Sequence, residues 1–170
     1  AKSYGAFHTG VEVYGREWAF QYFQEAWQDE SLTGVHCCRP KHAPGFEYVR
    51  SVNLGATHLA EAEVLVALGA LGLEWPACSY DIIDRNCITF AQTFTGILHT
   101  PTPFPDSLGA AVDAARRSPA ARTLAAGVWS ATKWWLSQRS APSACPAKEG
   151  DGSCAGCWAL GRWATAVARA

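Results

Sequence analysis

The segment AFHTGVEVY alternates with the two-residue period of a strand, setting Phe7, Thr9, Val11 and Val13 on one face and His8, Gly10, Glu12 and Tyr14 on the other. The first of these is the core face, so His8 points away from it. Gly15 supplies a turn, and REWAFQYF resumes a strand-like, aromatic-rich pattern, which predicts a hairpin over residues 6–23. A third strand is expected over 46–52 (FEYVRSV). Residues 24–45 read as irregular, broken by Gly34, Pro40, Pro44 and Gly45.

The next pattern is helical. Thr57 is placed to cap a helix with Glu61 and Glu63 early in it, and Ala60, Val64, Leu65, Leu68 and Leu71 recur at helical spacing, with the end of the helix expected near Gly69 or Gly72. In YDIIDRNCITFAQTFTGIL, Cys87, Phe90, Ala91, Phe94 and Leu98 form an i, i+3, i+4, i+7, i+11 stripe, so Cys87 stands on the first turn of a buried helix. The three prolines of HTPTPFPDSL end that helix before a weaker one over 107–117. From residue 119 the composition shifts to Ala, Ser, Gly, Arg and Trp. Five of the eight tryptophans lie here, at Trp129, Trp134, Trp135, Trp158 and Trp163. This predicts a catalytic domain over 1–118 and an Ala- and Trp-rich appendage over 119–170 that does not build the active site. Its first part, PAARTLAAGVWSATKWWLSQR, suits a helix, and SAPSACPAKEGDGSCAG suits a flexible link.

Composition narrows the function classes. A chain of 170 residues allows one main core, and 49% apolar with 17% charged residues is ordinary for a globular protein. A net charge of −1 with scattered signs gives no basic field for nucleic acid. Seven cysteines leave at least one unpaired, which fits a reducing compartment, cytoplasmic or nuclear. No stretch reaches the ~20 apolar residues of a membrane span. The tail tryptophans suit either an interfacial helix beside acylatable Cys145, Cys154 or Cys157, giving peripheral membrane contact, or a packed satellite helix.

The strongest chemical signal is Asn86-Cys87 at a helix start, where first-turn amides and the helix dipole stabilise a thiolate and a developing oxyanion. A buried core cysteine is the bland alternative. A cysteine nucleophile needs an imidazole to take its proton, and His8 is the candidate. Asp81 and Asp84 flank the thiol and could orient His8, but they read as helix caps and dipole partners rather than as a third catalytic group. Cys154-Ala-Gly-Cys157 has zinc-knuckle spacing but lacks a second ligand pair nearby, and only a distant contact with His36, Cys37, Cys38 and His42 would complete a site. Neither a metal nor an organic cofactor is expected.

GAFHTGVEVYGREWAF, then SVNLGATHLAEAEV, YDIIDRNCITFA and PTPFPDSL, in that order over residues 4–108, resemble the PPPDE peptidases, a permuted papain-fold family that includes the desumoylating isopeptidases. The resemblance implies an α+β, papain-like fold with an antiparallel sheet packed against helices. It also implies a His-Cys dyad with histidine first, here His8 as base and Cys87 as nucleophile. Its implied substrates are a ubiquitin-like modifier, SUMO or ubiquitin, on a protein lysine, or a palmitoyl thioester on a protein cysteine. A non-catalytic binding module of the same fold is the rival of another class. The chain departs from the family at Ile88, where many relatives have Asn, and in the 24–45 loop with its HCCRPKH. An upstream family strand of the type Val-x-Leu-x-Val-Tyr-Asp is expected to be missing.

Overall fold

The computed structural model describes residues 7–23, 29–43, 45–137 and 161–169. Strands β1 (Phe7–Val13), β2 (Arg16–Phe20) and β3 (Val35–Cys38) form an antiparallel sheet, with Val11 opposite Trp18 and Glu17 opposite Cys38. The β1-β2 turn is Tyr14-Gly15, both at positive φ (48° and 71°). Two such residues give the backbone twist that suits a tight hairpin. Strand β4 (Phe46–Ala56) and strand β5 (Gly161–Arg169) extend the sheet in the order β3-β2-β1-β5-β4, β5 running parallel to both of its neighbours.

Four helices follow β4: α1 (Glu61–Glu74), α2 (Cys87–Ile97), α3 (Asp106–Arg117) and α4 (Pro119–Ser137). The main core lies between the sheet and α1 and α2. Val11, Val13, Phe20, Val35 and Leu54 meet Val64, Leu68, Leu71, Trp75, Phe90, Phe94 and Leu98 there. Each large apolar side chain so buried contributes about 1.5–3 kcal/mol, and the stripe on α2 exists to make this contact. The α+β architecture is the expected one.

Several local expectations change. The 24–45 stretch is not wholly irregular, because β3 forms inside it. Gly34 lets it do so: a Cβ there would sit 2.5 Å from the Phe20 ring and 2.6 Å from the Gln21 carbonyl. Thr57 does not cap α1. Its hydroxyl instead donates to Leu98 O at 2.7 Å, tying β4 to the end of α2, while Glu63 accepts from the N–H of the capping Ala60 at 2.7 Å. The helix ends close to the expected place, at Glu74 just past Gly72, where the Trp75 N–H closes on Leu71 O at 2.8 Å.

Beyond residue 118 the structure adds two elements to the unit expected to stand alone. Trp129 on α4 donates through Nε1 to Tyr80 O at 2.9 Å, Arg122 pairs with Asp84 at 3.0 Å, and β5 lies between β1 and β4. The expected link over 140–156, with Cys145, Cys154 and Cys157, lies outside the described residues. Among the described residues no helix is long and apolar enough to cross a membrane.

Candidate active site

Asn86 fixes the start of α2 and therefore the position of Cys87. Its Oδ1 accepts the N–H groups of Ile88 and Thr89, each at 3.0 Å, while Nδ2 donates to the carbonyls of Ile82 and Ile83 at 3.0 and 3.3 Å. The Thr89 hydroxyl accepts the Asn86 N–H at 2.8 Å and closes a reciprocal cap. Asp81 and Asp84 serve other ends: Asp81 Oδ1 accepts the N–H groups of Ile83 and Asp84 at 2.8 Å, and Asp84 pairs with Arg122. Neither acts as the helix cap.

The Cys87 thiol is buried, and the Thr9 backbone N–H and the Tyr80 hydroxyl hydrogen-bond to it, with the Ile88 and Cys87 amides also favouring its charged form. Burial pushes the thiol above its ordinary value, against the pull of those donors. The resting group is therefore a protonated thiol at neutral pH. Attack on a carbonyl requires a base to remove that proton.

Thr9 is the residue next to His8, so strand β1 and the Cys87 thiol meet one position from the expected base. Alternation along β1 turns the His8 ring to the face opposite Val11 and Val13. It does not look onto open solvent: the imidazole is 5% exposed and stacks on Phe46, with ring centroids 4.4 Å apart and planes 15° from parallel. His36 of β3 stacks beside it at 6.3 Å. Burial first, and then the neighbouring His36, lowers the His8 pKa from 6.5 to about 3. Burial also lowers that of His36, whose Nδ1 lies 3.3 Å from Gly34 O. Both rings are thus neutral at physiological pH, and a neutral imidazole is the form that accepts a proton.

The same face buries Glu17 completely, with the Lys41 N–H donating to its Oε2 at 3.0 Å. Gly10 makes room for it, since a Cβ there would collide with the Glu17 carboxylate.

Sequence reasoning missed Tyr80, His36 and Glu17 as parts of this region. The alternation of β3 and REWAF carried the signal for the last two, once β3 was placed beside β2. That alternation also divides the candidate metal loop, with His36 and Cys38 on one face of β3 and Cys37 on the other. Among the described residues no group of three or more His, Cys, Asp or Glu is placed to hold a metal ion. A cleft of about 260 Å³ lined by Asp81, Ile83, Asp84, Arg122, Thr123 and Ala126 contains neither His8 nor Cys87, and its Asp84-Arg122 pair satisfies its main charges.

Comparison with known families adds to this geometry. The profile of the "PPPDE putative peptidase domain" matches residues 1–126, from before β1 into α4. The chain belongs to the PPPDE peptidase family. Among curated relatives, a DeSI-like protein of Arabidopsis thaliana is 27% identical over 88 residues, covering 52% of this chain and 37% of the relative. A protein of Caenorhabditis elegans named desumoylating isopeptidase 1 homolog is 28% identical over 91 residues, covering 51% of this chain and 26% of the relative. The chain thus spans well under half of either relative's length. No solved structure gives a significant match. The PPPDE match takes in β1 to β4, α1 to α3 and the start of α4, so both expected site residues lie within it.

Proposed function

We propose that this PPPDE chain is a cysteine hydrolase that cleaves an isopeptide bond between a ubiquitin-like modifier and a protein lysine, with Cys87 as nucleophile and His8 as base. One observation carries the reading: the thiol on the first residue of α2 is hydrogen-bonded by the N–H of Thr9, the residue next to His8. The name of the Caenorhabditis elegans relative supports SUMO as the first modifier to try. In this reading the imidazole takes the thiol proton, sulfur attacks the carbonyl carbon, and the imidazolium protonates the departing lysine amine. Water then releases the acyl-enzyme. The catalytic unit includes α4, whose Trp129 holds Tyr80 against the thiol site. The odd cysteine count supports work in the cytoplasm or nucleus.

A palmitoyl thioester on a protein cysteine is the second substrate class, open to the same thiol because both reactions are acyl transfers. Vinyl-sulfone probes of SUMO and ubiquitin, run beside an acyl-thioester substrate, separate the two. Cys87→Ser is expected to lower turnover by three orders of magnitude or more, roughly what loss of an activated nucleophile costs, while Cys78→Ser changes it less than about two-fold. Equal turnover by wild type and Cys87→Ser on every substrate would leave the non-catalytic binding module as the reading.

A further inference from the structure

The family's nucleophile and base leave open which group receives the negative charge on the carbonyl oxygen. Asn86 is the nearest amide side chain, but all of it is committed. Its oxygen caps Ile88 and Thr89, and its nitrogen donates to Ile82 O and Ile83 O. The Thr9 N–H is directed at sulfur.

Tyr80 is differently placed. Its phenolic oxygen lies within hydrogen-bonding reach of both the Cys87 thiol and the Cys87 backbone N–H. Its surroundings hold it there. The ring lies 5.3 Å from Phe20 and 5.3 Å from Trp129, its N–H donates to Ala77 O at 3.2 Å, and its carbonyl accepts from Trp129 Nε1 at 2.9 Å. A donor fixed by packing at both its ring and its backbone needs little reorganisation when charge develops beside it.

Building on the acyl-transfer reading above, we propose that Tyr80 is a catalytic residue, its hydroxyl forming with the Cys87 N–H the cradle that receives the carbonyl oxygen. In the resting site the Cys87 N–H donates to the phenolic oxygen, whose own proton points at sulfur. When the thiolate attacks, the C–S bond forms and the carbonyl π pair moves onto oxygen. Sulfur is then a neutral thioether and a poor acceptor. Rotation about the phenol C–O bond turns the Tyr80 proton toward the oxyanion, and the Cys87 N–H becomes the second donor. No proton leaves Tyr80. As the intermediate collapses, the electron pair returns to the C=O bond and the leaving amine takes its proton from the imidazolium. Burial supports this role by holding the phenol well above its ordinary ionisation range, so that it remains a donor at every working pH.

The test compares two reactions of one thiol in the full chain. Alkylation by iodoacetamide consumes the thiolate without forming an oxyanion, whereas hydrolysis of a small acyl thioester forms one. Tyr80→Phe, which keeps the ring between Phe20 and Trp129, is expected to lower kcat on the thioester roughly 100-fold, the usual scale for losing one oxyanion donor. KM should stay within about two-fold, and the alkylation rate, which loses only the Tyr80 hydrogen bond to sulfur, should fall far less than kcat. Trp129→Phe, which removes the hydrogen bond to Tyr80 O and trims the ring packed against Tyr80, should give the same split at a smaller size, and it serves as the readout if Tyr80→Phe melts early. Unchanged kcat in these variants would overturn the proposal. So would parallel loss of alkylation and hydrolysis, which would make Tyr80 a residue that poises the thiol. Failure of the underlying reading looks different, because wild type and Cys87→Ser would then hydrolyse the thioester equally.

Discussion

The two faces of the β1-β2-β3 sheet are both buried, but by opposite kinds of side chain. One face presents Val11, Val13, Phe20 and Val35 to the aromatic and aliphatic stripe of α2 and to α1. The other presents His8, Glu17 and His36, closed over by Phe46 and the loop that carries Lys41 and Ala43. The first arrangement stabilises the fold through apolar area. The second carries the desolvation cost of three ionisable groups, which a domain of this size has little stability to spare for. The difference shows where to look for chemistry: the polar face is retained at a cost to stability, and the thiol meets the same strand at the backbone of Thr9, beside His8.

Breaking the apolar face should give the larger loss of stability. Phe90 is fully buried, touches Phe20, Trp75 and Phe94, and supplies the centre of the α2 contact. Phe90→Ala is expected to destabilise by about 3–5 kcal/mol in urea unfolding. His8→Asn, on the other face, should cost roughly 1 kcal/mol and yet abolish turnover per folded molecule. A His8→Asn protein that loses as much stability as Phe90→Ala while retaining activity would return His8 to a structural role and remove the contrast.

Acid should attack the polar face selectively. His8 and His36 have folded-state pKa values below the unfolded value of 6.5, about 3 for His8. Below pH 6.5 the unfolded chain binds more protons than the folded one. Their contribution is thus fully present above pH 6.5 and is lost progressively as pH falls from there toward about 3 for His8. Each such imidazole can remove at most about 1.4 kcal/mol per pH unit in that window. Melting temperature is expected to fall steadily from pH 6.5 to pH 4, and His36→Asn should flatten the fall. An unchanged slope in that variant would mean that carboxylates elsewhere dominate the acid response.

The difference between the faces was only partly legible in the sequence. AFHTGVEVY announced its alternation, Gly15 its turn and the Cys87-to-Leu98 stripe its helix, because each signal is local and lies in one run of chain. Strand β3 was hidden by the Gly and Pro residues around its four positions, and it is defined by pairing with β2. His36 could not be set beside His8 until that pairing was known. Strand β5 carries Ala and Trp in a tail that composition marked as separate, and its place between β1 and β4 is a non-local fact. Tyr80 had no periodic signal at all. It belongs to the connection after a 3₁₀ turn at Ala77–Ser79, and its role depends on how that connection folds back on Cys87.

The smallest expected effect on the fold concerns the cap that holds the thiol where the two faces meet. Asn86 satisfies two orphan amides of α2 with Oδ1 and anchors the 82–83 carbonyls with Nδ2, so Asn86→Ala removes all of these hydrogen bonds and leaves a gap at a buried position. Loss of a cap typically costs about 1 kcal/mol, a small shift beside that of Phe90→Ala. The consequence for rate should be disproportionate. A first turn that frays moves the Cys87 N–H and the sulfur together away from Thr9 and Tyr80, and misplacement of reacting atoms by about 1 Å can cost 100-fold. Asn86→Asp keeps the accepting oxygen for Ile88 and Thr89 but loses the donor to Ile82 O and Ile83 O, placing a charge beside those carbonyls. It should therefore retain the helix start while losing the anchor. If urea unfolding shows Asn86→Ala about 1 kcal/mol less stable and thioester hydrolysis falls no further than the folded fraction does, the cap matters only to the helix. A rate loss well beyond that, with Asn86→Asp falling between wild type and Asn86→Ala, is the expected result, because the position of the thiol and not the survival of α2 is what the cap secures.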